Sequence, residues 1–408
     1  TEIDSVPVYL IDNEKFLSYG SIYLDKSAFV KDLDEMKRFL FFSQAVIQAI
    51  PSLNFNPDII HCHDWHTSFI PGLLSVSPQK KHPKTVLTIH NIANQGKWNA
   101  EEILSFLGLS GIEWPALTHH TPDGSLNFFE QGISMANKLT TVSPAYAGEL
   151  LTPEYGFGLE SIIGQRKNDL TGILNGIDTE RFNPAADPSL PFKYSFKNIG
   201  EREKNRTELL KKTDLEISPH SPIFGFIGRL AIPDQKGVEL MASIADEFAK
   251  RGAGVIFLGS GDEMHRKLLL DVDKMFPKNF FSFIGFDADF AQLMYAGCDF
   301  MLVPSKFEPC GLVQMMAMRY GSVPIVRKTG GLADSVQDIK CSPKGCKGTG
   351  VVFKDFNQHD LREAIDRACK LFQQKHFYQS VQQNAMSADF SWNASAQKYI
   401  ELYQSLIL

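Results

Sequence analysis

The chain has 408 residues, 43% hydrophobic and 22% charged, with 41 basic against 47 acidic side chains and a net charge of -6. That length exceeds what one compact core usually holds, so two domains are expected. The charge balance gives no electrostatic footprint for nucleic acid, and no apolar run reaches the ~18 residues of a membrane-spanning helix.

The chain opens at Thr1 without a charged-then-apolar leader. In chain order, "PDIIHCHDW" (57–65), "KTVLTIHN" (84–91), "KLTTVS" (138–143) and "LTGILNG" (170–176) read as buried strands, with a helix over "LNFFEQGISMAN" (126–137) between them. The basic stretch "QKKHPK" (79–84) reads as a solvated loop. Residues 182–205 are rich in Pro and polar side chains, carry no strand signal, and read as an interdomain connection. The alternation then restarts, with strands at 222–229, 254–261, 279–286, 299–305, 322–326 and 350–353, and helices such as 237–252 between them. The tail 391–408 reads as a closing amphipathic helix. Continuous apolar strands separated by helices predict an α/β fold with parallel, doubly wound sheets. The expected division is 1–195, 196–385 and a closing helix over 386–408.

Ligands of open parallel sheets bind beyond the carboxyl ends of the strands. The residues there are polar or glycine: His63 and Asp64, His90 and Asn91, Asn175 and Gly176, Arg229, Gly259 to Gly261, and Glu308 to Gly311. Arg229, Lys236 and a helix start behind Gly237 make an anion site, with phosphate the commonest such ligand; surface salt bridging is the competing reading. "GSGD" (259–262) reads as a tight turn into a helix. "KTGGLAD" (328–334) reads equally as a turn or as a ligand cradle. In "SKFEPCGL" (305–312), Pro309 biases Glu308 away from helical geometry, and Gly311 allows close backbone approach. The three histidines of "HCHDWH" (61–66) suggest a metal. Strand alternation places His61 and His63 on one face and Cys62 on the other, however, and no fourth ligand has zinc spacing, so no metal is expected. Asp64 is the better candidate for binding hydroxyls. Six cysteines lie scattered, mostly in apolar patterns that suit reduced thiols; Cys341 and Cys346 flank "SPKG", and with two ligands visible neither a bridge nor a metal is favoured there.

Together, "HCHDWHT", "TIHN", "TTVSPAYAGEL", "LNGID", "GSGD", "LVPSKFEPCGL", "VRKTGGLADSV" and "FSWNASAQKYIELY" resemble the bacterial glycogen synthase and plant starch synthase family over essentially the whole chain. The resemblance implies the GT-B architecture, two facing Rossmann-like domains, and glucose transfer from ADP-glucose or UDP-glucose to the non-reducing end of an α-1,4-glucan with retention of configuration. It implies that Arg229 and Lys236 neutralise the diphosphate and that Glu308 binds the transferred glucose. Asp64 and His90 would line the other wall of the glucose site, and Asn175 would contact sugar. Phe286 would stack on adenine. Cys310, Gly311 and Leu312, with Lys328, Thr329, Gly330 and Gly331, would complete the donor site. No cofactor or metal is implied, and the compartment is the bacterial cytoplasm or a plastid.

Three departures stand out. Nothing ahead of "VPVYLIDNEKF" matches the family's Lys-x-Gly-Gly-Leu loop, so the N-terminal domain reads as incomplete, with weak ADP binding, low synthase activity and a tendency to aggregate expected. Two extra residues separate Arg229 from Lys236, which would displace Lys236. Glu130 stands where many members carry Lys. The rival readings are another GT-B transferase, a phosphorylase (for which no pyridoxal-lysine motif is visible), and a partial homologue that binds glucan or a partner.

Overall fold

A computed structural model of the chain describes residues 1–18, 33–77, 82–109, 124–231, 234–343 and 345–408. Residues 79–81 of the basic stretch lie outside them. The chain divides into two compact units, one of Thr1–Val142, Ala147–Ile173 and Tyr399–Leu408, the other of Ser143–Tyr146 and Leu174–Lys398.

The first unit contains a four-stranded sheet of β1 (Ile59–His63), β2 (Lys84–Ile89), β3 (Lys138–Thr141) and β4 (Leu170–Gly172), in that order and parallel throughout. β2 explains the run of apolar and β-branched residues: Thr85 to Ile89 are all buried, so both faces of the strand are covered. In β1 Cys62 is buried while the His61 and His63 rings stack at 4.3 Å on the other face, as the alternation requires. The helix Phe128–Met135 follows an Asn127 cap, and Glu130 lies in its first turn, where a carboxylate complements the exposed amides.

The second unit carries a six-stranded parallel sheet of β5 (Ile223–Ile227), β6 (Gly254–Gly259), β7 (Phe280–Ile284), β8 (Phe300–Val303), β9 (Val323–Arg327) and β10 (Val351–Phe353). Its order is β7-β6-β5-β8-β9-β10. One hydrophobic cluster includes Phe224, Phe248, Phe257 and Phe300; another includes Met294, Met301 and Tyr320. The chain winds outward from β5 to β7, then returns to place β8 beside β5. The strand order therefore reverses between β5 and β8, and a ligand crevice is expected beyond their carboxyl ends.

Three sequence-based expectations are corrected. Residues 182–205 are not a free connection: they lie within the second unit's segment Leu174–Lys398. Tyr194 is buried and donates to the Tyr320 carbonyl at 2.7 Å, and the helix Arg202–Thr213 begins inside the expected linker. The polar composition misled because Arg202 within it is buried: together with Arg206, the residue after the stretch, it pairs with Asp299. The helix expected over 237–252 is two, Val238–Ala242 and Ala245–Lys250, broken at Ile244 (φ -122°), whose side chain is fully buried. Finally, Cys341 and Cys346 face each other across the short strands Lys340–Ser342 and Gly345–Lys347 and form a disulfide. Direct cross-strand pairing brings their β-carbons together, which spacing alone does not reveal.

Candidate active site

The reversal point of the second unit's sheet is where the charged motifs converge. After β5 the chain runs through Arg229 to Lys236; after β8 it runs through Ser305 to Gly311. The two loops are stitched together: the Lys306 N–H donates to the Gln235 carbonyl at 2.8 Å, and the Gln235 amide donates to the Phe307 carbonyl at 3.1 Å. Lys236 Nζ then reaches Glu308 Oε2 at 2.6 Å, so the two extra residues do not carry it away from the carboxylate. Ser305 Oγ donates to the same oxygen at 2.8 Å. Glu308 is only 7% exposed, and a buried carboxylate needs such partners.

The turn behind Glu308 is held from several sides. Gly311 has φ +69°, a left-handed conformation that glycine adopts without strain. The Gln314 side-chain amide donates to the carbonyls of Cys310 (3.1 Å) and Gly311 (2.8 Å). Arg327, buried at the end of β9, donates to the Ser305 carbonyl at 2.9 Å and to that of Lys306. Gly331 N–H donates to the Glu308 carbonyl at 3.0 Å, and a Cβ on Gly331 would overlap the Cys310 carbonyl. The double glycine of "KTGGLAD" thus lets that segment lie against the Glu308 turn. Ser143 donates to the Pro309 carbonyl at 2.9 Å, and Asp334 accepts from the Ala145 N–H at 2.7 Å. The Asn175 backbone N–H points at the Cys310 sulfur; burial nevertheless pushes the Cys310 thiol up to about 12, so it is no nucleophile.

Other residues singled out from sequence lie at this end of the sheet without joining the pair. Thr329 and Gly330 are buried, Leu312 is 39% exposed, and Arg229 and Lys328 are exposed, with no ion-pair partner among the described residues. Phe286 is 90% exposed, so it is not a core residue. Ser305, Gln235, Gln314 and Arg327 were not foreseen; three of the four act through carbonyl contacts, which leave no mark on residue type.

In the first unit, the ends of β1 and β2 are tied by Asp64. It has φ +56°, and its carboxylate accepts the N–H groups of His90 (2.8 Å) and Asn91 (3.3 Å). Burial raises the Asp64 carboxyl, opposed by those amides. His90 Nε2 lies 3.0 Å from His63 Nδ1, and burial lowers its pKa. His61 sits between Tyr403 Oη and Thr88 Oγ1, each at 2.6 Å. Trp65 is buried with its ring stacked on His66 at 4.3 Å.

Two Rossmann-like parallel units, one with a lysine–carboxylate pair at its strand-order reversal, define a GT-B glycosyltransferase. Residues 1–165 match the family model described as the starch synthase catalytic domain, and residues 208–385 match that of glycosyl transferases group 1. The chain is 39% identical over 405 residues to a glycogen synthase of Thermodesulfovibrio yellowstonii, covering 98% of this chain and 78% of that one. It is 38% identical over 410 residues to a glycogen synthase of Lactobacillus acidophilus, covering 100% and 84%. Its structure is similar to the catalytic domain of starch synthase IV from Arabidopsis thaliana bound to ADP and acarbose, with a TM-score of 0.84 and 34% identity over 94% of this chain and 79% of that one. The chain belongs to the glycogen and starch synthase family. No helix among the described residues is long and apolar enough to cross a membrane.

Proposed function

We propose that this chain transfers glucose from ADP-glucose, with UDP-glucose as the competing donor, to the non-reducing end of an α-1,4-glucan with retention of configuration, in a bacterial cytoplasm or a plastid. The observation that carries the proposal is the Lys236–Glu308 pair at the reversal point, in a chain belonging to this family. Without ligand the lysine neutralises the carboxylate. With a nucleotide sugar bound, Lys236 turns to the diphosphate together with exposed Arg229, and Glu308 is released to accept from the glucose hydroxyls. Bond cleavage adds a negative charge to the terminal phosphate of the departing diphosphate, and fixed cations stabilise that charge as it grows. Lys328 and the backbone of Thr329 to Gly331 and Cys310 to Leu312 surround the phosphates and sugar, with Asn175 beside them. Phe286 offers an uncovered ring to the base. Asp64 and His90 bind sugar hydroxyls in the first unit. Cofactor and metal take no part in this transfer. The test is radiolabelled glucose incorporation into maltooligosaccharide from each donor, with ADP binding measured in parallel. Incorporation that is lost in Lys236→Ala and Glu308→Gln is expected; a wild type that binds neither nucleotide, or a Lys236→Ala variant with unchanged transfer, overturns the reading.

A further inference from the structure

Asp234, in the loop that delivers Lys236, belongs to a second cluster of titratable side chains. Asp234, Glu239 and His265 each present one ligand atom, and these atoms lie within 4.8 Å of one another. His265 belongs to the helix Glu263–Met275 and has no exposed surface. Its Nδ1 lies 2.6 Å from Asp262 Oδ2. An ionised carboxylate only accepts, so the ring proton sits on Nδ1 and, in the neutral ring, Nε2 keeps its lone pair. Nε2 lies 3.4 Å from Glu239 Oε1 and, among the described residues, is buried without a hydrogen-bond partner. Two electron-rich atoms at that separation repel unless a cation lies between them. One imidazole and two carboxylates are a donor set that a divalent first-row metal such as Zn²⁺ accepts. The supporting shell is present as well. Asp262 orients the imidazole in the manner of a carboxylate–histidine–metal triad. Three backbone N–H groups, of Gly237, Val238 and Glu239, fix the Asp234 carboxylate at 2.8, 2.9 and 2.9 Å.

We propose that Asp234, Glu239 and His265 bind a divalent transition-metal ion, with water completing the shell, and that the ion ties the Lys236 loop to the helix Glu263–Met275. This is a structural site. It does not depend on the transfer chemistry, and its atoms are not those that meet the donor. The competing occupant is a proton, which would make His265 an imidazolium facing Glu239. The full chain, stripped with a chelator, is titrated with Zn²⁺ by calorimetry beside Glu239→Gln, whose side chain is 53% exposed and whose loss does not threaten folding. Wild type is expected to take up one more high-affinity equivalent than the variant, or to bind it about tenfold or more tightly, and its melting temperature is expected to rise on adding Zn²⁺ more than that of the variant. Other histidines bind equally in both proteins and cancel. Identical titrations of wild type and Glu239→Gln overturn the proposal. So does a wild type that takes up no Zn²⁺ and whose His265 ring carries both protons at neutral pH by nitrogen NMR.

Discussion

Glu308 has two partners on one oxygen, Lys236 at 2.6 Å and Ser305 at 2.8 Å, and removing either changes what that oxygen can do. Lys236→Ala strips a cation from the site while leaving the turn's backbone bonds intact. Turnover is therefore expected to fall roughly 10²–10³-fold, the usual consequence of deleting one fixed charge from a developing anion. Steady-state kinetics against ADP-glucose measures it, and a loss confined to KM would mean that the lysine binds ground state and transition state alike. Phe286 poses a different residue-level question. At 90% exposure it supports no core, so Phe286→Ala should leave the melting temperature unchanged. If the ring stacks on the base, ADP affinity should weaken by ~1–3 kcal/mol, the usual contribution of one stacked base. Calorimetry with ADP and, separately, with maltooligosaccharide distinguishes the two ligands; an unchanged ADP affinity removes Phe286 from the site.

At the scale of elements, the ten strands of the two parallel sheets were legible because their apolar runs are short, continuous and bounded by polar residues. Their partners across loops were not. The helix Arg202–Thr213 was hidden in a polar stretch because its anchors, Arg202 and Arg206, are charged residues buried against Asp299 at the foot of β8. Composition marks an arginine as exposed; only the fold supplies the carboxylate that lets it be buried. Asp299 also accepts the Ile223 N–H at 2.8 Å, so it ties this helix to β5 as well. Asp299→Asn keeps the shape but leaves the buried Arg202 guanidinium without a counter-charge and Arg206 with Glu203 alone at 3.5 Å, and should destabilise the second unit by about 3–5 kcal/mol. Chemical denaturation reads this directly; a loss below about 1 kcal/mol would mean that the carbonyl bonds of Arg202 carry the anchor by themselves. The glycine motifs were legible as turns, but their reason was not. Gly331 is needed where its backbone lies against Cys310, a contact between residues twenty-one positions apart. Gly331→Ala should separate the two motifs and lower activity, and a variant with full activity would show that the turn can yield.

For the whole molecule, the charge that matters for stability is not the net -6 but the cluster of unprotonated histidines in the first unit. Sequence placed His61 and His63 on one strand face but could not show what covers His61. The cover is Tyr403, more than three hundred residues away, and Thr88 on the neighbouring strand. Burial, reinforced by His63 and His90, lowers the His61 pKa from 6.5 to about 3. The folded state therefore refuses a proton that the unfolded chain accepts throughout that interval. The stabilisation is fully present above pH 6.5 and is lost as pH falls toward 3. The slope is at most about 1.4 kcal/mol per pH unit for one such group. His90 is lowered in the same direction by burial, which steepens the fall. Asp64 opposes it: its raised carboxyl means that the fold gains relative to the unfolded chain as that group protonates, which begins above its ordinary value of 3.8. Acidification from neutral pH should thus destabilise the first unit through its histidines, with Asp64 offsetting part of the loss as it protonates. Hydrogen exchange at several pH values can follow the Val86–Ile89 amides of β2, buried beside this cluster. His61→Gln will lower stability at neutral pH, because it disturbs the bonds to Tyr403 and Thr88, so the informative quantity is the slope. A flatter dependence between about pH 5 and 6.5 in the variant is expected, and a slope equal to that of the wild type would mean that His61 is protonated in the folded chain as readily as in the unfolded one.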